Sequence, residues 1–422
     1  MDKVVTIPQP SIKVSVAFYD DTEKALLLGY PTANKIASVV DDGIEIPTAE
    51  FLTYYLFHRK RLGTPRYSDY RKITRKIDQA LVSLDGCIDF REESITTAKG
   101  VQKQLTEITE HIGEAIGLSL INRIHDLTEA DWQPIPEKRG RNAPRTFDFQ
   151  IASDGEQIIQ VENKGSSVDD NTQITNTIRN HKSDISEKKK SICDLEVKGN
   201  YPFPARLRYG TITAIGRSTP LRCWIVDPPP QDLYADPKRL RLLARMRFLW
   251  EWISFISPRS QIASSLATRI ASLEKVQDPF KLEGIPLLRG SGKPFKFTPV
   301  RSRGRWHSSF FAYKSRVSDG PAGGVVLQLK KEYMFFVGIR GELLTIAAEQ
   351  KFDRVVEYKT PAASMSKTVD CLFTKAKFKE MDLPQRLRDR ARKTGGYFSL
   401  SLKGQLHYSC GGLVFGILPL FW

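Results

Sequence analysis

The sequence predicts an α/β protein in three parts: an N-terminal lobe over 1–96, an α/β core over 97–230 and a basic, mainly β region over 231–422. Three observations carry this. Leu105, Ile108, Ile112, Ile116, Leu120 and Ile124 recur every three or four residues, which draws one apolar stripe along a helix. Two short apolar runs flank Ser153-Asp-Gly-Glu, and an Asp-Gly pair favours the positive φ angles of a tight hairpin turn. Beyond residue 285 the chain breaks into short β-like runs separated by turn residues. A length of 422 residues also exceeds the ~100–200 residues of one domain.

Taken in order, residues 1–45 read as short strands, among them Ile12–Phe18 and Lys24–Leu28, and residues 46–85 carry helical periodicity. The helix of the core is expected over Thr97–Asp126. The hairpin follows, with Thr146-Phe-Asp-Phe-Gln-Ile as its first strand and Gln157-Ile-Ile-Gln-Val-Glu as its second. A Lys- and Asp-rich helix is expected over Thr172–Asp194, then strands at Tyr209–Ile215 and Cys223–Val226. Residues 236–276 look helical, and the terminal GGLVFGILPLFW reads as a buried last strand.

Hydrophobic residues make up 41% and charged residues 27% of the chain, and the formal charge is +16. A surplus of that size favours a polyanionic partner through counterion release and steering. The five cysteines form no CxxC pair and the six histidines no HxH or HExxH spacing, so zinc is unsupported and a reducing compartment is expected. The N-terminal MDKVVTIPQPSIKVSV lacks the pattern of a signal peptide, and no window approaches ~20 uncharged apolar residues. The expected setting is cytoplasmic, without a membrane partner.

The chemistry concentrates on the hairpin. Asp148 falls on its first strand and Glu162 and Lys164 at the end of its second. Residues two apart on a strand share a face, so Glu162 and Lys164 point together while Asn163 points away. Two acids and a lysine on neighbouring strands suit phosphodiester hydrolysis. Carboxylates hold Mg²⁺, and a lysine orients the attacking water or stabilises developing charge. The same triplet recurs at Glu196-Val-Lys198 and Glu357-Tyr-Lys359. Neither has an upstream strand aspartate at hairpin distance.

Asp148, thirteen intervening residues and Glu162-Asn163-Lys164 resemble the D…(D/E)xK signature of the PD-(D/E)xK nuclease superfamily, with Phe147 where that family has its proline. The resemblance covers about Thr97 to Asp227. It implies a restriction-endonuclease-like core, a central mixed β-sheet flanked by helices, and Mg²⁺-dependent hydrolysis of nucleic acid, DNA before RNA, with Mn²⁺ as an alternative ion. Asp148 and Glu162 would ligate the metal, the Asn163 backbone carbonyl would add to it, and Lys164 would position the water. Glu114, on the preceding helix, would complete the metal shell. Gln173 and Lys182 are weaker candidates on the following helix. Members of that superfamily serve restriction, repair, transposition and antiphage defence, and the resemblance does not choose among them; because a free-standing nuclease would endanger its host, a prokaryotic restriction or antiphage defence system is the expected setting, with a regulatory protein partner or a homo-oligomer. A subunit that keeps the fold and binds nucleic acid without turnover is the rival expectation.

Between Glu283 and Asp319 there is no acidic residue. Arg301, Arg303, Arg305, Trp306, Lys314 and Arg316 lie in that window. Cations would track phosphates while aromatics stack on bases, or the aromatics are strand core and the charges their outer coat. Two further basic runs, Lys238–Arg247 and Arg386–Lys393, are either solvated helix faces or more of the same grip.

Overall fold

The computed structural model describes residues 10–57, 70–91, 94–98, 106–133, 151–199, 205–217, 219–227, 236–258, 260–273, 287–288, 294–295, 300–302, 305–307, 314–318, 322–330, 332–348 and 351–420. The chain divides into two compact units, Met1–Lys60 with Val82–Ala244 and Arg61–Leu81 with Arg245–Trp422.

The first unit runs β1 (Ser11–Phe18), α1 (Asp21–Leu27), α2 (Ala33–Asp42), β2 (Ile44–Pro47) and α3 (Thr48–Phe57). Helix α4 (Tyr70–Cys87) follows, of which only residues 82–87 belong to this unit, then β3 (Ile88–Arg91), β4 (Ser94–Thr97) and α5 (Thr106–His125). The hairpin strands β5 (Ile151–Ser153) and β6 (Ile158–Ser167) come next, then α6 (Asn176–Val197), β7 (Leu207–Ile215), β8 (Leu221–Val226) and the start of α7 (Pro237–Ile256). Six strands form one mixed sheet in the order β2-β1-β8-β7-β6-β5. Strands β1 and β8, like β6 and β7, are parallel. Residues 1–96, expected as a separate lobe, thus supply two strands to the core sheet.

The strand reading of residues 1–45 fails in two places, and in one of them Ala33–Asp42 forms helix α2. Lys24–Leu28 falls largely in helix α1, because Asp20 caps its start by accepting the Glu23 N–H at 2.8 Å, and Ala25-Leu26-Leu27 are good helix formers. The tight turn is as expected. Gly155 sits at φ +97°, and Asp154 Oδ1 accepts the backbone N–H groups of Glu156 and Gln157 at 2.9 and 2.7 Å. The first strand's expected start at Thr146, and with it Asp148, lies outside the described residues.

Helices cover both faces of the sheet. On one, α5 rests directly on β6: a methyl group built on Gly113 would come within 2.6 Å of the Gly165 Cα. Helix α3 packs against α5 and is buried along all ten residues, which is why it shows no amphipathic stripe. Asn122 of α5 ties the two helices, its Nδ2 donating to Tyr54 at 2.5 Å while its Oδ1 accepts Trp132 Nε1 at 2.9 Å. On the other face, α6 seats Ile178 and Ile185 among Ile212, Ala214, Trp224 and Val226.

The second unit is mainly β, as expected. After α8 (Gln261–Leu273) come two short ladders, β9 (Leu287–Leu288) with β10 (Pro294–Phe295) and β11 (Val300–Ser302) with β12 (Arg305–His307). The main sheet follows: β13 (Ser315–Val317), β14 (Ala322–Lys330) and β15 (Tyr333–Arg340), then helices α9 (Gly341–Ala348) and α10 (Phe352–Glu357). Strand β16 (Ala363–Thr374), helices α11 (Lys375–Glu380) and α12 (Gln385–Arg390), and strands β17 (Arg392–Thr394), β18 (Tyr397–Tyr408) and β19 (Leu413–Pro419) complete it. The order is β16-β13-β14-β15-β19-β18-β17, and β16 also pairs with β18 along twelve residues. That extra pairing closes six antiparallel strands into a barrel. Met334, Phe336, Val369, Leu402, Leu406 and Leu418 belong to the barrel unit's buried core. The last strand is buried between β15 and β18. No described helix is long and apolar enough to cross a membrane, and no disulfide joins the cysteines.

Candidate functional site

Strand β6 carries the site, and the pleat divides its residues. Gln160, Glu162, Lys164 and Ser166 face α6, whereas Asn163 and Gly165 face α5. Gln160, Glu162 and Ser166 each meet a side chain of α6 or β7. Arg208 donates to Gln160 at 3.2 Å and forks onto Glu196. Lys188 Nζ reaches Glu162 Oε1 at 2.5 Å. Ser166 Oγ lies 2.5 Å from His181 Nε2. His181, Lys188 and Glu196 stand seven and eight residues apart, about two helical turns each, so one side of α6 reads down the strand.

Glu162 and Lys164 do point together, with Lys164 Nζ 3.0 Å from Glu162 Oε1. The Glu162 side chain is 0% exposed, in a place made by two neighbours. Gly210 pairs with it across the parallel ladder, and Ile185 covers Gly210. A carboxylate so enclosed needs opposite charge to stay ionised. Lys164 and Lys188, one from each side of the interface, bring it. Lys188 was not among the residues picked out by the sequence. Its signal was its place one heptad beyond His181 in a lysine-rich helix.

Asn163 faces the other way, as expected. Its Oδ1 accepts the Thr211 hydroxyl at 2.7 Å, it abuts Gly117 of α5, and its buried Nδ2 has no hydrogen-bond partner. Glu114 is buried on α5, so it starts from the face of the sheet opposite Glu162. Asp148 and Arg303 lie outside the described residues. Of the weaker candidates, Gln173 is exposed and Lys182 pairs with Glu23 at 3.1 Å.

A cleft of about 970 Å³ opens where β6 ends, between the N-terminal turns of α5 and α6. Lys164, Ser166, His181, Glu110, Asp184 and Arg217 are among its lining. It lies at the carboxyl end of the parallel pair β6 and β7, the usual place for ligands in open α/β sheets. Around His181, burial and the Lys164 ammonium pull the imidazole below its ordinary value, against Asp184 and Glu110.

Among the described residues no three of His, Cys, Asp and Glu converge on one point, and the Glu162 charge already faces two ammonium groups. These residues alone do not fit Mg²⁺, which asks for several hard oxygen ligands.

Two other buried polar clusters lie in the same unit. His125 Nδ1 meets Asp154 at 3.0 Å and its Nε2 meets the Tyr209 hydroxyl at 3.0 Å, tying the hairpin turn to the sheet. Burial pushes the Asp154 carboxyl up, but the His125 bond and the turn's N–H groups hold it below the usual range. Lys189 donates to the Asp227 carbonyl, and burial drops its amine to about 8.

The basic runs divide by burial. Arg245 is buried and donates to the carbonyls of Val355 and Tyr358 at 3.1 and 2.6 Å. Arg241 binds Asp131 at 3.3 Å and the Asp154 carbonyl at 2.7 Å. Arg241 and Arg245, two of the four arginines of α7, are therefore engaged within the fold, a correction to their reading as substrate grip. Arg301, Arg305 and Trp306 fall in the short β11–β12 ladder, while Lys314 and Arg316 are half-buried beside β13 and on it. Around α11, α12 and β17, by contrast, Lys375, Lys377, Lys379, Arg390, Arg392 and Lys393 are exposed.

Comparison with protein-family models, curated proteins and solved structures found no match.

Proposed function

We propose that the first unit is a nuclease of restriction-endonuclease-like architecture, hydrolysing phosphodiester bonds of nucleic acid, DNA by preference, in the cleft at the end of β6. One observation carries this reading: Lys164, ion-paired with the buried Glu162 that Lys188 also contacts, lines the cleft at the end of β6. Helix α5 precedes the hairpin and α6 follows it, the order the D…(D/E)xK resemblance implies. Lys164 stabilises the charge that grows on the phosphoryl oxygens, and Lys188 keeps Glu162 ionised and fixed. Mg²⁺ or Mn²⁺ enters this reading through Asp148, which would supply the second carboxylate beside Glu162. Restriction or antiphage defence, under a regulatory partner or in a homo-oligomer, is the setting this chemistry suits.

The test is incubation of the full chain with plasmid and end-labelled oligonucleotides, with Mg²⁺, with Mn²⁺ and with EDTA. Cleavage is expected with either metal and none with EDTA, and Asp148→Ala, Glu162→Gln and Lys164→Ala should each abolish it. Cleavage indifferent to all three substitutions would refute the proposal.

A second reading has its own observation. Glu162 is already neutralised by two lysines and no described acid trio gathers, as in a fold kept for binding. In that case the exposed cations of α11, α12 and β17 would hold nucleic acid without turnover. Salt-sensitive DNA binding by a wild type that never cuts would favour it.

A further inference from the structure

We propose that His181, steadied by Ser166, is the proton acceptor of the cleft, taking the proton of the water that attacks the phosphodiester. This rests on the nuclease reading above and names a group that reading lacks. Hydrolysis needs a base beside the attacking water. Lys164 and Lys188 are ammonium partners of Glu162 and carry no lone pair. Among the lining carboxylates, Asp169 pairs with Arg217 at 2.8 Å and Asp170 accepts the hydroxyl and N–H of Thr172 at 2.6 and 2.8 Å. Glu110 and Asp184 remain, but an imidazole is better matched to neutral pH than a carboxylate.

Geometry sets His181 apart. It lines the cleft beside Lys164, and its Nε2 is 2.5 Å from Ser166 Oγ, on the same strand face as Lys164. With Nε2–H donating to Ser166, the neutral ring keeps its lone pair on Nδ1. The groups facing the ring are Lys164 and Ser166 from β6, Glu110 from α5, and Asp184 from its own helix. Burial and Lys164 outweigh the two acids and favour the neutral form.

The step balances without an added reagent. Water oxygen bonds to phosphorus, and its proton passes to Nδ1. The P–O ester bond breaks, its electron pair leaves with the departing oxygen, and that oxygen takes a proton from solvent. The imidazolium then returns its proton to water. Ser166 is a positioning residue that holds the ring's tautomer.

The experiment is the pH profile of kcat/KM for cleavage of an end-labelled oligonucleotide by the full chain. Wild type should show an acidic limb of unit slope. His181→Asn should lose that limb and fall about 10²- to 10⁴-fold at neutral pH. Ser166→Ala should keep the limb with its midpoint displaced and a smaller loss. Added imidazole should restore part of the rate to His181→Ala. Unfolding midpoints equal to wild type at each pH of the profile separate these effects from misfolding. An active wild type whose acidic limb survives in His181→Asn overturns the His181 role and leaves the nuclease reading standing. An inactive wild type overturns both. Labelled phosphate attached to Ser166 would replace the base with a covalent serine route and overturn the inference.

Discussion

At Glu162 one buried carboxylate meets two lysines whose side chains are about a fifth exposed, and that asymmetry sets which substitutions hurt. Glu162→Gln removes the buried charge and leaves two ammonium groups that water can reach, so its stability cost should stay below about 2 kcal/mol. Lys164→Ala with Lys188→Ala removes both ammonium groups from the buried carboxylate, and breaking a buried pair this way costs about 3–5 kcal/mol. Denaturant midpoints of the two variants measure the difference, and equal losses would contradict this account of the pair. Asp227 gives a pH prediction with a definite sign. Its carboxyl is raised from 3.8 to about 6, chiefly by burial, with Lys189 opposing and Glu23 adding. The folded state therefore binds the proton more tightly. The stabilisation is full below the unfolded value and is lost as pH rises through about 6. Asp227→Asn should remove that slope, so the variant should gain on wild type between those two pH values in melting experiments. A difference that stays flat with pH would rule it out.

Among the elements, the hairpin was legible because its determinants are local. Asp154-Gly155 fixes the turn by positive φ and an Asx cap, and period-two alternation assigns Glu162 and Lys164 to one face. Gly155→Ala should accordingly cost about 1–2 kcal/mol, the penalty of a left-handed backbone on an L side chain, read as a lower unfolding midpoint. What the sequence concealed was which helix face meets which strand face. His181 and Lys188 look like ordinary cations of a solvated helix until α6 is laid along β6, and Lys24–Leu28 looks like a strand until Asp20 caps it. Contact of α5 with β6 through Gly113, Gly117 and Gly165 was equally hidden, since no side chain marks it. Gly165→Ala should force α5 away from the sheet, at a cost of about 1–3 kcal/mol. Because Thr106, Thr109 and Glu110 of α5 line the cleft, it should also lower cleavage. Unchanged stability and rate would mean that this packing does not support the site.

For the molecule as a whole, strands were readable and their partners were not. Residues 285–422 were expected to be β, yet barrel closure depends on Ala363–Thr374 meeting Tyr397–Tyr408, and alternation says nothing about which strands pair. The same limit hid the entry of β1 and β2 into the sheet of the first unit. Net charge was legible, but only the fold tells which cations are available: Arg241 and Arg245 bind inside it, whereas the cations of α11, α12 and β17 face solvent. Binding of nucleic acid should therefore depend on the latter. Each cation that neutralises a phosphate contributes about 0.9 to the slope of log K against log salt. Replacing Lys377, Lys379, Arg390 and Arg392 by Gln in the full chain should flatten the slope by up to about 3.6 by that rule. Affinity should weaken alike for all sequences, because phosphate contacts carry no base information. A salt slope identical to wild type would move the grip to another surface, and a loss confined to particular sequences would mean these cations read bases instead.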